Sequence, residues 1–180
     1  MRACRLTSHS ALLAGLAISL AVMTTAGGVG AAARHPGVGG SNVFAISGSA
    51  QRIVVKLTKL VGPSTSTKDI FGDLVQAPAG HRFYVVRLAY RNTGQATIKG
   101  ELAPSEKTVL VDASGGTWTY GDMFFTSPVK KGPARPGGTA TASLTFDVGT
   151  TAQVAAFRLK LEARVFSAHV REWDLTKTAI

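Results

Sequence analysis

The stretch PAGHRFYVVRLAYRNTG, residues 78–94, decides the fold of this chain. From Phe83 onward its residues alternate between two faces with the period of two that is typical of a β-strand. The apolar and aromatic face is made of every second residue: Tyr84, Val86, Leu88 and Tyr90. The other face begins apolar and turns basic at Arg87 and Arg91. We therefore predict a strand at the centre of a sheet, ended by the turn residues 92–94.

The same period of two recurs along most of the chain after residue 50. It predicts further strands at 52–60, 108–112, 117–120, 139–148, 157–165 and 169–175, with a short additional strand possible at 42–46. Glycine- and proline-rich segments at 61–80 and 121–138 are interpreted as two long loops. No segment after the leader has a convincing helical period, and no βαβ rhythm is present.

This pattern predicts an all-β fold, an antiparallel two-sheet immunoglobulin-like sandwich of about seven strands. A small barrel is the alternative. The immunoglobulin Cys…Trp…Cys signature is missing, so the prediction depends on alternation alone. We assign the sandwich domain to residues 50–180 and interpret residues 34–49, which are rich in Gly and Ser, as a flexible arm.

The first 33 residues have the composition of a removable export signal. Arg2 and Arg5 precede an uncharged apolar run at 11–23, which is shorter than the roughly 20 residues that a bilayer-spanning helix needs. A small-residue stretch follows, and we expect cleavage after Ala33, with Ala26 as the second choice. An uncleaved amphipathic or anchor helix is the alternative. The predicted localisation is therefore secreted or associated with the cell wall, with no transmembrane segment after signal removal.

Charge and cysteine content describe the mature chain further. Cleavage after residue 33 of the 180 leaves 147 residues without cysteine, because Cys4 lies inside the signal. Such a chain forms no disulfides and depends on its core for stability. The net charge of +10 falls to +8 once Arg2 and Arg5 are removed. A basic exported protein suits an anionic partner, although the charge can equally serve solubility alone.

Four landmarks follow one another in a recognisable order. They are RIVVKLTKL (52–60), APAGHRFYVVRLAYRNTG (77–94), VLVDASGGTWTY (109–120) and RPGGTATASLTFDV (135–148). Together they resemble the small secreted immunoglobulin-like domains of Gram-positive bacteria, many of which are domains of unknown function. That group includes a secreted immunoprotective antigen of actinobacteria. The resemblance covers roughly residues 50–175. It implies an extracellular β-sandwich without enzyme activity and offers no functional residues to transfer.

Metal-binding motifs lack the spacing that their chemistry requires. His35, His81 and His169 are too far apart for a zinc motif, although sheet ends can bring His81 and His169 together. Asp69 and Asp73 flank a short loop without the EF-hand spacing, which allows weak calcium binding at most. We predict no bound metal and no cofactor.

Catalytic motifs are missing in the same way. Ser127 and Lys130 have the S-x-x-K spacing, but they lie in a Pro/Gly-rich segment instead of opening a helix, and the partner motif S-D-N is missing. We assign no catalytic residues and expect a protein that is not an enzyme. Aspartates 112 and 122 are interpreted as turn caps.

Nucleic-acid binding is considered because tyrosines and arginines share one strand. RNA-binding sheets stack bases on exposed aromatic side chains beside cations. Here Tyr84 and Tyr90 fall on the face opposite to Arg87 and Arg91, so one surface does not offer both. We expect no nucleic-acid partner.

The remaining candidates for contact are loop and outer-face side chains. They are Ile70, Phe71, Phe124, Phe125, Lys130, Lys131, Arg87 and Arg91. Long loops in compact domains are often functional, and apolar loop tips beside lysines suit a protein or membrane surface. The alternative is that the aromatic residues fold back and close the ends of the sandwich.

The leading hypothesis is a secreted, non-catalytic β-sandwich that binds or interacts with a partner, either a protein or an anionic component of the cell envelope. The second hypothesis is a basic protein that attaches to the cell envelope or another polyanion. A hydrolase with a dispersed site is the third.

Overall fold

The computed structural model describes residues 35–45, 49–69, 71–98, 103–121, 135–162 and 170–177. They belong to one compact unit, Ala33–Ile180. The predicted export signal at 1–33 and most of the predicted second loop, residues 122–134, lie outside the described residues. Within the described part of the chain, no helix is long and apolar enough to cross a membrane.

All regular secondary structure in the described residues is β-strand. In chain order the strands are β1 (Ser41–Ala45), β2 (Arg52–Ser64), β3 (Ser66–Lys68), β4 (Leu74–Gln76), β5 (His81–Asn92), β6 (Ala103–Pro104), β7 (Val109–Asp112), β8 (Thr117–Thr119), β9 (Thr139–Gly149), β10 (Val154–Glu162) and β11 (Val170–Asp174). The seven predicted strands correspond to β2, β5 and β7 to β11. The prediction of an all-β protein is confirmed.

The first sheet has the order β1-β2-β5-β9, and every neighbouring pair is antiparallel. The deciding stretch forms β5, which lies between β2 and β9 as predicted. Its core face is the predicted one, because Tyr84, Val86, Leu88 and Tyr90 are all buried, whereas Arg87 and Arg91 are exposed.

The second sheet has the order β11-β10-β7-β8, with the short β6 also paired to β10. The chain crosses between the two sheets three times, from β5 to β6, from β8 to β9 and from β9 to β10. Hairpin neighbours are thus interleaved with long-range pairs such as β5–β9 and β7–β10. This interleaving is the connectivity of immunoglobulin-like sandwiches, and it confirms the two-sheet prediction.

The core lies between the sheets and is dominated by aromatic rings. Phe157 of β10 packs between Phe146, at a centroid distance of 6.1 Å, and Trp173, at 5.5 Å. The three side chains are fully buried, and the Trp173 indole donates a hydrogen bond to the carbonyl oxygen of Gly40 at 3.1 Å. Burying such rings supplies much of the stability that a domain without disulfides needs.

The prediction of a loop over residues 61–80 is wrong for half of that segment, because residues 61–64, 66–68 and 74–76 belong to strands. β2 continues to Ser64, and the chain then forms the separate antiparallel hairpin β3–β4, closed by a hydrogen bond from the Ala77 N–H to the Thr65 carbonyl. The strands of this hairpin have three residues each, which is too short for alternation to reveal.

The flexible-arm prediction for residues 34–49 is wrong where the structure describes that segment. Residues 41–45 form β1 and pair with β2, which confirms the short strand predicted there, one residue earlier than expected. The preceding residues also bond to the sandwich: the Gly39 N–H donates to the Leu57 carbonyl, and the Asp174 N–H donates to the Pro36 carbonyl. Backbone hydrogen bonds therefore hold this segment in place.

Candidate functional site

A tight turn connects β3 to β4, and its described residues, 69 and 71–73, are organised by Asp69. Its Oδ1 accepts hydrogen bonds from the backbone N–H groups of Phe71 (2.8 Å) and Asp73 (2.9 Å). The Asp69 N–H donates to the Asp73 carbonyl and the Gly72 N–H to the Asp69 carbonyl, with Gly72 at a φ of 93°. Glycine adopts this left-handed conformation without steric cost. The backbone of the turn is therefore hydrogen-bonded to itself.

The weak calcium binding considered for Asp69 and Asp73 gains no support from this geometry. One carboxylate oxygen of Asp69 is already occupied by two backbone donors. No group of three or more His, Cys, Asp or Glu side chains suited to a metal ion is found among the described residues. Asp69 is the cap of a turn, in agreement with the preference of Asp for turns.

The turn presents two apolar side chains to solvent. Phe71 is 79% exposed, and Leu74, the first residue of β4, is 65% exposed. Phe71 is a contact residue that the sequence predicts, whereas Leu74 is not among the predicted ones because the short strand β4 has no alternation that would reveal it. Ile70, also predicted, lies outside the described residues. We call Phe71 and Leu74, together with the described turn residues Asp69, Gly72 and Asp73, the hairpin tip.

The base of the hairpin is fixed against the first sheet. β3 lies against β5, and Phe83, which belongs to the outer face of β5, is only 2% exposed. The pairing of β2 with β5 is irregular between Val61 and Ser64, and at Gly62 a Cβ atom would lie 2.6 Å from the Phe83 carbonyl oxygen. The sequence therefore allows the two strands to approach closely at this point, and the hairpin tip projects from a packed base.

A second candidate surface is the outer face of the first sheet along the seam between β2 and β5. Lys59 lies directly opposite Arg87, Lys56 opposite Ala89, and Val54 opposite Arg91. Arg52 extends the row, because its carbonyl oxygen accepts hydrogen bonds from the N–H groups of Thr93 and Gly94. Five exposed cationic side chains thus share one face, and we call them the basic seam: Arg52, Lys56, Lys59, Arg87 and Arg91.

The basic seam is not neutralised within the described part of the chain. The ion pairs found there are His35–Glu172, His81–Asp147 and Arg158–Glu172. On the outer face the neighbouring residues of β9 are uncharged as far as Thr145, and Asp147 is opposite Phe83, two rows beyond Arg87. Two rows correspond to about 13 Å along a strand. No carboxylate among the described residues therefore forms an ion pair with a cation of the seam.

Tyr84 and Tyr90 lie on the core face of β5, opposite to the exposed Arg87 and Arg91. Tyr84 and Tyr90 are 7% and 1% exposed. Burial raises the pKa of both phenols. The Tyr90 hydroxyl has no hydrogen-bond partner among the described residues. Neither ring is available on the surface that carries Arg87 and Arg91.

The remaining predicted contact residues are Phe124, Phe125, Lys130 and Lys131, which all lie outside the described residues. His169, the suggested neighbour of His81, does so as well. His81 instead has Nδ1 at 2.9 Å from Oδ1 of Asp147, and its ring meets Trp118 edge-on at 6.2 Å. The two side chains of this pair are 39% and 36% exposed.

Asp112 caps the turn between β7 and β8, as the sequence predicts. Its Oδ1 accepts hydrogen bonds from the N–H and hydroxyl of Ser114 and from the N–H of Gly116, while its Oδ2 accepts one from the Trp118 indole. The pKa of Asp112 is lowered, mainly by the hydrogen bond from the Ser114 hydroxyl. Desolvation opposes this and raises the pKa by a smaller amount. The N–H groups of Trp118, Gly116 and Ser114 lower the pKa further. Asp122, the other predicted cap, is outside the described residues.

A cleft of about 440 Å³ opens near the start of β5. Its lining includes the side chains of Tyr84, Thr150, Thr151, Gln153 and Leu175, and the described residues contribute neither a carboxylate nor an imidazole to it. Hydroxyl and amide groups of this kind donate and accept hydrogen bonds. They are not the usual proton acceptors of general acid–base catalysis.

Comparisons with known proteins add little. No protein-family model matches the chain, and no curated protein matches it. Among solved structures, the chain is similar to a conserved hypothetical protein from Bacillus anthracis, with 13% sequence identity and a TM-score of 0.43. The match covers 73% of this chain and 96% of that one.

Proposed function

We propose that this protein is a secreted, non-catalytic binding module that contacts a protein partner through its hairpin tip. The observation that carries the proposal is the 79% exposure of Phe71 on a turn whose backbone is held by Asp69. The sandwich fold is compatible with many functions, so the argument depends on this site and not on the fold.

Phe71 and Leu74 are three residues apart in the sequence and both are largely exposed, and a partner that covered them would remove this apolar surface from water. Aromatic side chains are enriched in protein interfaces, where they act as anchors that fill pockets. The turn is already hydrogen-bonded in the free protein, so binding orders little additional backbone, and this reduces the entropic cost of association.

The charges around the tip indicate the chemistry of the partner. Asp73 is exposed and Asp69 is partly exposed, and the two carboxylates flank Phe71 in the sequence of the turn. A partner with an apolar pocket and cations at its rim complements this arrangement, because rim charges steer encounter and set register. Secretion agrees with the predicted export signal at residues 1–33.

Affinity capture with matched variants tests the proposal. The wild-type protein, Phe71→Ser and Val170→Ser are each immobilised and incubated with cell-surface extract and culture medium. Val170 is 47% exposed on β11 of the second sheet, so it controls for the loss of an exposed apolar side chain elsewhere.

We expect wild type and Val170→Ser to capture the same protein and Phe71→Ser to lose it, while thermal unfolding is the same for all three. Unchanged capture by Phe71→Ser would remove the hairpin tip as the contact element.

A second candidate, attachment to a polyanion, is supported by the basic seam and the net charge.

A further inference from the structure

The basic seam contains an arrangement that is unfavourable for folding. Lys59 and Arg87 are directly opposite each other on the exposed face of an antiparallel pair, and like charges in that position destabilise a sheet. A bulge between Leu57 and Lys59 creates this pair, because it shifts the register so that Lys59 instead of Thr58 is opposite Arg87. Departures from local sequence rules of this kind are expected at functional positions.

The cations follow a zigzag along the seam. In successive rows they are Arg52 on β2, Arg91 on β5, Lys56 on β2, and then Lys59 and Arg87 on both strands. Rows are about 6.7 Å apart and neighbouring strands about 4.8 Å apart, so the line of charge extends for roughly 20 Å parallel to the strands. One small anion contacts only part of such a line, whereas a linear polymer follows all of it.

The seam ends at a polar cleft of about 250 Å³. The cleft is lined by Ser49, Arg52, Thr93 and Gln95 among others. Its hydroxyl and amide groups suit the oxygen atoms of a polymer segment. On the other side of the seam, Thr139 and Thr141 of β9 are exposed and lie opposite Arg91 and Ala89, so hydroxyl donors flank the cations there too.

We propose that the basic seam binds a linear phosphodiester polymer without bases, of the glycerol phosphate type found in cell envelopes, with its chain parallel to β2 and β5. The inference develops the second candidate function, attachment to a polyanion, and is independent of the hairpin tip. Arginine and lysine are the side chains that proteins use for repeated phosphate contacts.

A nucleic acid fits this surface less well. Single-stranded nucleic acids gain affinity by stacking bases on exposed aromatic rings. The aromatic side chains of β5 are unavailable for stacking, since Phe83, Tyr84 and Tyr90 are only 2%, 7% and 1% exposed.

The test measures binding of a synthetic poly(glycerol phosphate) chain by titration at several salt concentrations. The seam variant is Lys59→Gln with Arg87→Gln. The control is Lys107→Gln with Lys177→Gln, which removes the same charge from exposed positions flanking β7 and β11 of the second sheet. Phe71→Ser is included to separate this inference from the hairpin proposal.

We expect the seam variant to bind about tenfold more weakly and its slope of log K against log salt to fall by about 1.4, as for two lost contacts to a single-stranded polyanion. The control variant and Phe71→Ser are expected to bind with a Kd within twofold of the wild-type value. A twofold change in Kd corresponds to about 0.4 kcal/mol of binding free energy. An oligonucleotide with the same number of phosphates is expected to bind no more tightly than the polymer.

Three results would overturn the inference: no measurable binding by the wild type, equal weakening in the control variant, or tighter binding of the oligonucleotide. Misfolding does not confound the comparison, since removing the Lys59–Arg87 repulsion favours the folded state. A thermal unfolding curve of each variant verifies this.

Discussion

Lys59 of β2 and Arg87 of β5 are paired across the strands with both side chains exposed, and no described carboxylate forms an ion pair with either of them. The pair results from one bulge in an otherwise regular ladder. It places repulsion at the centre of the first sheet, beside a core that is fully buried on the other face. The like-charge pair therefore lowers the stability of the fold, whereas both cations contribute to the proposed binding of a polyanion.

Reversing one charge of this pair should stabilise the protein. Lys59→Glu replaces a like-charge pair with an opposite-charge pair, and we expect the free energy of unfolding to rise by about 1 kcal/mol. Chemical denaturation at low salt measures the change. Lys56→Glu, opposite Ala89, is the control and should gain less. An equal gain in both variants would mean that the cross-strand pair has no specific effect.

Two tyrosine-to-phenylalanine substitutions should change stability in opposite directions. The Tyr90 hydroxyl is buried without a described hydrogen-bond partner, so its desolvation is not compensated by a hydrogen bond. Tyr90→Phe removes this hydroxyl and should raise the free energy of unfolding by about 1 kcal/mol. The Tyr120 hydroxyl donates to the Pro104 carbonyl at 2.8 Å, and Tyr120→Phe should lower it by about 1 kcal/mol. Denaturant unfolding of both variants checks the signs, and a loss of stability in Tyr90→Phe would contradict the assignment.

Alkaline pH should destabilise the protein through Tyr90. Burial, and to a lesser extent the neighbouring Tyr120, raises the pKa of Tyr90 above its ordinary value of 10.0. The neutral phenol is favoured in the folded state, so its contribution is complete below pH 10.0 and is lost as the pH rises from there towards the folded-state pKa. The free energy of unfolding, followed across that range, should fall less steeply in Tyr90→Phe than in wild type.

Acid should remove the contribution of Asp112. Hydrogen bonds, first of all from the Ser114 hydroxyl, lower the pKa of this carboxyl from its ordinary value of 3.8. The charged form is favoured in the folded state, so the contribution is present above pH 3.8 and is lost as the pH falls through the folded-state pKa. The stability difference between wild type and Asp112→Asn should therefore shrink in acid. Ser114→Ala should weaken this pH dependence in part, and a constant difference at all pH values would contradict the mechanism.

The strands that were predicted from the sequence are those whose alternation is long. In β5 and β9 the apolar residues recur at every second position over most of the strand, and in β5 the predicted core residues Tyr84, Val86, Leu88 and Tyr90 are buried. Phe83 of β5 and Thr145 of β9 are buried as well, although they belong to the outer faces. The β3–β4 hairpin was missed because its strands, Ser66–Lys68 and Leu74–Gln76, are short and mostly polar. Its position depends on packing against β5, which no local pattern reveals.

The candidate site was predictable only in part for the same reason. Phe71 stands out as an aromatic residue in a Gly- and Asp-containing segment, and Arg87 and Arg91 follow from the period of β5. The outward position of Lys59 cannot be predicted from the period of β2, because strict alternation would direct Thr58 outward and Lys59 inward. The bulge that reverses this is a property of the pairing with β5, so the basic seam becomes visible only when the register is known.

Site-specific photo-cross-linking tests the central claim, that the hairpin tip is the contact element, most directly. A photoreactive benzoylphenylalanine is placed at position 71 in one variant and at position 170 in another, and each is irradiated with cell-surface extract. We predict that position 71 forms a covalent adduct with the protein captured by the wild type and that position 170 does not. The absence of an adduct at position 71, or the same adduct at both positions, would contradict the account.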